Sequence, residues 1–265
     1  MTKTNHHLIR GGELTATHKT NIVRQLLAAR SDERTKRSFY AGVKYPGNTN
    51  ANGEGRMYPE FFIPPYNGGK KLQTVIPMSP ATHILSANAY ELEIIRLIFL
   101  LAPHDAVAGD MAEKMRQRLK TVCFANHCCQ GECFHTTLPV LRFLAATSPD
   151  ETAWMRGLVA KFGTHIEGKI KNKKCNGGAL LYYWLCLSEL PFEIAESEIS
   201  QYKEQIANQL NRNFSMVRES DAIYNPVKIC AMRNTLARLP EYAYIKNRQP
   251  FMKDGRLHFD MGKQQ

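Results

Sequence analysis

Apolar residues recur at helical spacing over most of the chain beyond residue 82. Val107, Met111, Met115, Leu119 and Val122 share one stripe, and Trp154, Leu158, Phe162, Ile166 and Ile170 a second. Ile199, Tyr202, Ile206, Leu210 and Phe214 make a third. Stripes of this kind predict amphipathic helices with one face on a core and the other in water. Between them run segments that are apolar nearly all round, 90–102, 134–146 and 179–190, with a weaker fourth at 227–239. A helix without a polar face must be covered on most sides, so these four are expected in the interior.

The interior segments end alike. Pro103, Pro149, Pro191 and Pro240 follow them in turn, at intervals of 46, 42 and 49 residues. Proline stops a helix because it lacks the N–H and its ring clashes with the preceding turn. The segments also begin regularly, near Asn88, Cys133 and Gly178. The repeating unit is thus a buried helix, a proline-marked turn and an amphipathic helix. Stacking such hairpins buries a common core. The expected fold is mainly α, with α/α-hairpin repeats forming a partial or closed α/α toroid; an open α-solenoid is the alternative. In either, the loops before the buried helices gather on one rim: 86–88, 127–135, 175–178 and 221–225.

Ahead of the repeats, a helix is expected over 20–30, followed by a segment at 40–80 rich in Gly, Pro and Asn. That punctuation excludes a regular helix. Tyr58, Phe61, Phe62, Ile63 and Tyr66 are nevertheless too many large apolar groups for a bare linker, which predicts an irregular arm packed on the helical body. The domain reading is an N-terminal helix and arm over 1–81, a repeat domain over 82–250 and a tail over 251–265.

Composition narrows the setting. A hydrophobic content of 43% and a charged content of 22% are ordinary for a folded protein. No uninterrupted apolar run reaches the length needed to cross a bilayer. The start, Met1 to His7, is polar and carries no apolar stretch of the signal-peptide kind. The expected location is therefore cytoplasmic, where seven cysteines, an odd number, act as free thiols or metal ligands. The net charge of +11 favours anionic partners, a peptide or small anionic substrate first. Nucleic acid is not favoured, because no recognisable binding module accompanies the charge.

The chemistry concentrates in thirteen residues, 123–135, which hold Cys123, His127, Cys128, Cys129, Cys133 and His135. Cys129 and Cys175 occupy equivalent places in adjacent repeats, each two residues before a glycine. Two thiolates from neighbouring loops and an imidazole are a familiar donor set for zinc with an open fourth position. The candidate metal ligands are Cys129, Cys175, His127 and His135, with Cys133 as a substitute. Zinc is the expected cofactor, lowering the pKa of a bound thiol or water.

The two Cys-x-Gly motifs, each leading an apolar helix, resemble those of the lanthionine synthetase C family. That resemblance implies an α/α toroid whose two cysteines and one histidine hold zinc, which activates a peptide thiol for addition to a dehydroamino acid. It covers about residues 88–190. Cys129 and Cys175 match the two thiolate positions. Asn176 stands where the family has histidine, and Cys128 where it has tryptophan. The chain is also shorter than the family's seven hairpins require.

A second reading makes Cys133 a nucleophile, its thiolate stabilised by a helix N-terminus. His135, His127 or His165 would then be the base and Gln130 an oxyanion donor. A third is a non-enzymatic helical-repeat scaffold that binds through its concave face. The remaining signals are structural by default. Cys123 continues the Leu119 and Val122 stripe and is expected to pack; Cys186 and Cys230 fall in buried segments and read as core. His6 and His7 are expected in solvent, and His83 as a cap or core residue. Glu91 and Glu93 fit a favourable placement near a positive helix end, with Glu91 as a rim acid or base the sharper alternative. Asp221 and Tyr224 carry the same two readings.

Overall fold

The computed structural model describes residues 1–31, 61, 66–67, 70–71, 73–78, 80, 83–171 and 177–262. Two short helices come first, α1 (Thr2–Ile9) and α2 (Ala16–Ala28). The main series follows: α3 (His83–Leu101), α4 (Ala106–Thr121), α5 (Gly131–Thr147), α6 (Thr152–Lys171), α7 (Gly177–Glu189), α8 (Phe192–Leu210) and α9 (Glu219–Leu236). Two-residue strands β1 (Tyr66–Asn67) and β2 (Lys70–Lys71) pair antiparallel, as do β3 (Phe251–Lys253) and β4 (Arg256–His258). The protein is mainly α-helical, as the periodicity predicts. Most of the arm, Tyr58, Phe62 and Ile63 included, lies outside the described residues; Phe61, within it, is buried.

The chain divides into two compact units. One comprises Met1, Leu14–Thr74 and Ser79–His165; the other comprises Thr2–Glu13, Val75–Met78 and Ile166–Gln265. The division falls inside the segment 82–250 rather than at residue 81.

In the first unit α3 packs chiefly against α5, with α2 and α4 also on α3. Asp105 starts α4 by accepting the N–H groups of Val107 and Ala108 at 2.9 and 3.0 Å, which satisfies two donors that a helix start leaves free. Met111, Met115 and Leu119 are buried as predicted, but Val107, in the first turn, is 43% exposed. Ala108 and Ala112 complete the stripe in its place.

The segments expected to be apolar throughout are not so in this unit. Asn88, Glu91, Glu93, Arg96 and Arg142 are all buried on α3 and α5. Arg142 donates to Glu93 at 2.6 Å, and Arg118 of α4 bonds both Glu91 and Asn88 of α3. Glu91 and Glu93 are thus neither end charges nor rim acids; they are interior partners of arginines from neighbouring helices. Buried charge of this kind is tolerated only when it is paired and hydrogen-bonded.

Two segments expected as rim loops, 86–88 and 221–225, lie inside helices. Helix α3 starts earlier because a neighbouring helix completes its first turn: Glu132 of α5 accepts the Leu85 N–H at 3.1 Å. Asn88 then sits within the helix, its amide donating to the Ile84 carbonyl at 2.7 Å. Helix α9 starts before 221 because the Asp221 carboxylate accepts the Arg218 backbone N–H at 3.2 Å and its guanidinium at 3.0 Å. Asp221 is therefore a first-turn cap rather than a loop acid.

In the second unit α9 packs on α7 and α8, and α1 packs on α9. Ile199, Tyr202, Ile206 and Leu210 are buried, as are Cys186 and Cys230. The Thr235 hydroxyl donates to the Trp184 carbonyl at 2.6 Å, tying α9 to α7. The expected C-terminal tail is instead a hairpin. Asp254 and Gly255 both take positive φ, 49° and 71°, the geometry that a tight turn between twisted strands requires. Leu257 of β4 bridges to Phe214, and the two exchange backbone hydrogen bonds at 2.8 and 2.9 Å. His6 is buried rather than solvated, its Nε2 2.7 Å from the Val75 carbonyl, while His7 remains exposed.

Candidate metal centre

The site is built where α4 hands over to α5. Helix α4 stops at Thr121 because Val122 turns extended, φ −99° and ψ 141°. The backbone serves this end only in part, the Val122 N–H donating to the Leu119 carbonyl at 3.4 Å, and the Asn126 side chain supplies the rest. The Asn126 amide donates to Val122 at 2.8 Å, to Leu119 at 3.1 Å and to Lys120 at 3.3 Å. That folds the chain back at once. A single turn of 3-10 helix (Cys123–Ala125) follows, and the Cys123 carbonyl accepts the N–H groups of Asn126, His127 and Cys128 at 3.1, 3.0 and 2.9 Å.

Three side chains from later helices fix this turn from outside. Thr137 donates to the Phe124 carbonyl at 3.0 Å, Trp154 to Ala125 at 2.7 Å, and Lys161 to Phe124 at 3.1 Å and Cys128 at 3.4 Å. The chain then enters α5 through Gln130, extended, and Gly131 at φ +53°. Residues with a Cβ rarely hold that conformation, so glycine sets the entry angle of α5. Cys133 consequently stands in the first turn of the helix, facing back towards the turn that carries Cys123.

The result is a group of three sulfurs. The Sγ atoms of Cys123, Cys128 and Cys133 lie within 4.8 Å of one another, and Cys123 Sγ is 3.9 Å from Cys133 Sγ. Cys133 is buried, and Cys123 and Cys128 are half-buried. All three are free thiols that together could hold a metal ion.

Their protonation is not shared evenly. The Gln130 backbone N–H, pointing at the sulfur, holds the Cys128 thiol below its ordinary range against the cost of burial; its two neighbouring thiols and Lys161 act in the same sense. Burial pushes the Cys133 thiol up to about 12, with the Cys128 and Cys123 sulfurs adding to the shift. Lys161 is itself lowered by burial, partly offset by the thiols around it. Of the two thiols, Cys128 gives up its proton the more readily. Cys133 keeps its proton, which runs against its expected role as the nucleophile.

The sequence-predicted residues divide accordingly. Cys133 joins the group, but Cys129, His127 and His135 do not. The Cys129 thiol contacts the His127 carbonyl at 3.5 Å, and His127 is exposed. His135 is half-buried one position past Phe134, with ring centroids 5.6 Å apart. His165, the third candidate base, faces its own helix, Nδ1 lying 3.1 Å from the Lys161 carbonyl. Cys175 and Asn176 lie outside the described residues.

Cys123, read as a packing residue, and Cys128, read only as the residue before the motif, are the members that sequence reasoning missed. The signal was present as an even spacing, Cys123, Cys128, Cys133, with four residues between each pair. The stripe through Leu119 and Val122 concealed it, because the helix ends before it reaches Cys123.

No helix of the described residues is long and apolar enough to cross a membrane. Comparison of the chain with protein-family models, with curated proteins and with solved structures finds no match.

Proposed function

We propose that Cys123, Cys128 and Cys133 bind zinc as three thiolates, with a fourth position open to water or a substrate atom. One observation carries this reading: the 3.9 Å between Cys123 and Cys133 sulfurs. Thiolates around tetrahedral zinc, at Zn–S bonds of about 2.3 Å, stand roughly 3.8 Å apart. The fit extends to charge. Three thiolates leave the centre with a net negative charge, and Lys161, hydrogen-bonded to the Cys128 carbonyl, supplies a cation beside it. Three protein ligands with an open position is the pattern of a reactive rather than a purely structural zinc. Zinc would supply Lewis acidity, making a bound thiol or water nucleophilic near neutral pH. The basic balance of the chain, +11, suits a peptide or small substrate carrying negative charge.

Metal analysis of protein purified without chelator tests this directly. About one zinc per chain is expected, lost in Cys123→Ser and Cys133→Ser and kept in Cys129→Ser and Cys186→Ser. Zinc that persists in Cys133→Ser, or vanishes in Cys129→Ser, contradicts the ligand set.

A second reading rests on the lowered Cys128 thiol, which is half-buried and within reach of small reagents. It takes Cys128, not Cys133, as the nucleophile of a metal-free enzyme. Metal-free protein in which iodoacetamide labels Cys128 fastest, with no zinc recovered from any preparation, favours this second reading.

A further inference from the structure

We infer that Cys123 and Cys133 form a reversible disulfide under hydroperoxide, and that closing it expels the metal from the site. The inference rests on the zinc reading for its second half only; the disulfide itself follows from placement.

The two sulfurs are 3.9 Å apart. A disulfide needs about 2.05 Å, so they must close by about 1.9 Å, a displacement that side-chain rotation and a small shift of the turn supply together. Neither residue has to travel from a distant element. Cys123 opens a single 3-10 turn, and Cys133 stands in the first turn of α5. Thr137, Trp154 and Lys161 hold the carbonyls of that turn against α5 and α6, so the turn cannot drift away in the metal-free state. The pair is therefore preorganised, which raises the effective concentration of one thiol at the other.

Exposure and distance together assign the roles. Cys123 and Cys128 are half-buried and open to the oxidant, whereas Cys133 is 8% exposed; the 3.9 Å contact with Cys133 gives the first role to Cys123. The Cys123 sulfur attacks one peroxide oxygen, the O–O bond breaks, and the departing hydroxide takes up a proton to leave as water. The Cys123 sulfenic acid that results is attacked by the Cys133 sulfur. The S–S bond forms as the S–O bond breaks, and the hydroxyl leaves as a second water with the proton that the Cys133 thiol gives up. In sum, two thiols lose two electrons, and the hydroperoxide accepts them with two protons. A thiol reductant reverses the reaction. In the oxidised protein one thiolate of the three remains, Cys128, and a single thiolate does not retain zinc against solvent.

Cys129 provides an internal control. It lies in the same short loop, equally half-buried and closer in sequence to Cys133 than Cys123 is, but its thiol faces the His127 carbonyl. Proximity along the chain favours a Cys129–Cys133 link, whereas the fold favours Cys123–Cys133.

The test treats the full-length, as-purified protein with hydrogen peroxide in small molar excess. Released zinc is followed with a chromogenic chelator, and the products are mapped by non-reducing peptide mass spectrometry. The expected result is a Cys123–Cys133 cross-linked peptide, lighter by two hydrogens, that appears in step with zinc release. Dithiothreitol should remove it, and Cys129→Ser should leave it unchanged. A dominant link through Cys128 or Cys129, or zinc release with only over-oxidised sulfinic products, overturns the inference. So does full retention of zinc while the Cys123–Cys133 link accumulates. If the purified protein contains no zinc, the zinc reading fails on that measurement, and the peptide map still decides the disulfide by itself.

Discussion

Replacing Glu91 by Gln removes one charge from the ion pair that fixes the end of α4, and with it the first thiol of the cluster. Arg118 sits on α4 five residues before Cys123, and its guanidinium bonds Glu91 and Asn88 of α3. The side chains of Arg118 and Glu91 are only 5% and 1% exposed. Both charges have left water, and their mutual attraction is what offsets that cost. Glu91→Gln keeps the shape and takes away the countercharge, so a buried cation faces neutral oxygens. Breaking a buried pair in this way costs about 3–5 kcal/mol. For a chain of this size that corresponds to a fall in Tm of roughly 6–20 °C. Replacing both partners, Arg118→Met with Glu91→Leu, removes the charges together and should lie within about 1–2 kcal/mol of the parent protein, on either side. Differential scanning calorimetry and urea unfolding of Glu91→Leu, Arg118→Met and their double variant complete the cycle, with Glu91→Gln measured beside them. Zinc content measured on the same samples reports whether the end of α4 still presents Cys123. A Glu91→Gln protein within about 0.5 kcal/mol of the parent, the scale of an ordinary surface substitution, would falsify the claim that this pair is desolvated and pins the helix.

Three further predictions concern the site. Zinc binding must displace the Cys133 proton, because that thiol is pushed up to about 12 in the metal-free protein; the apparent affinity should therefore rise at least about tenfold per pH unit through the neutral range, as competition titrations at several pH values would show. The same shift sets the sign for metal-free stability. The folded state holds this proton more tightly than the unfolded state, where the thiol titrates near 9, so stability is intact below that value and falls as pH rises towards 12, which urea midpoints at stepped pH would record. Asn126→Ala removes three bonds to the last carbonyls of α4 and should cost about 1–3 kcal/mol, with weaker zinc binding from a loosened turn; unchanged unfolding midpoint and zinc affinity would count against the capping role.

The sequence by itself determined the helical class, the succession of helices after residue 82 and the proline-marked ends of the interior ones. The reason is local: period-3.6 stripes and flanking prolines act within one or two turns. It also placed the reactive chemistry in residues 123–135. What it did not determine was which of those thiols meet. Cys129 and Cys133 looked equivalent or better as ligands, yet Cys123 joins the group and Cys129 does not. That outcome depends on Val122 turning extended, on Asn126 folding the chain back over the end of α4, and on Gly131 setting the direction in which α5 departs. Glu91 and Glu93 teach the same lesson in the interior. Their acidity suggested a place near a positive helix end, and only the approach of Arg118 and Arg142 from other helices made burial tolerable. Secondary structure follows from interactions between near neighbours, whereas the meeting of sulfurs and the pairing of buried charges require the chain to return on itself, which tertiary packing alone arranges.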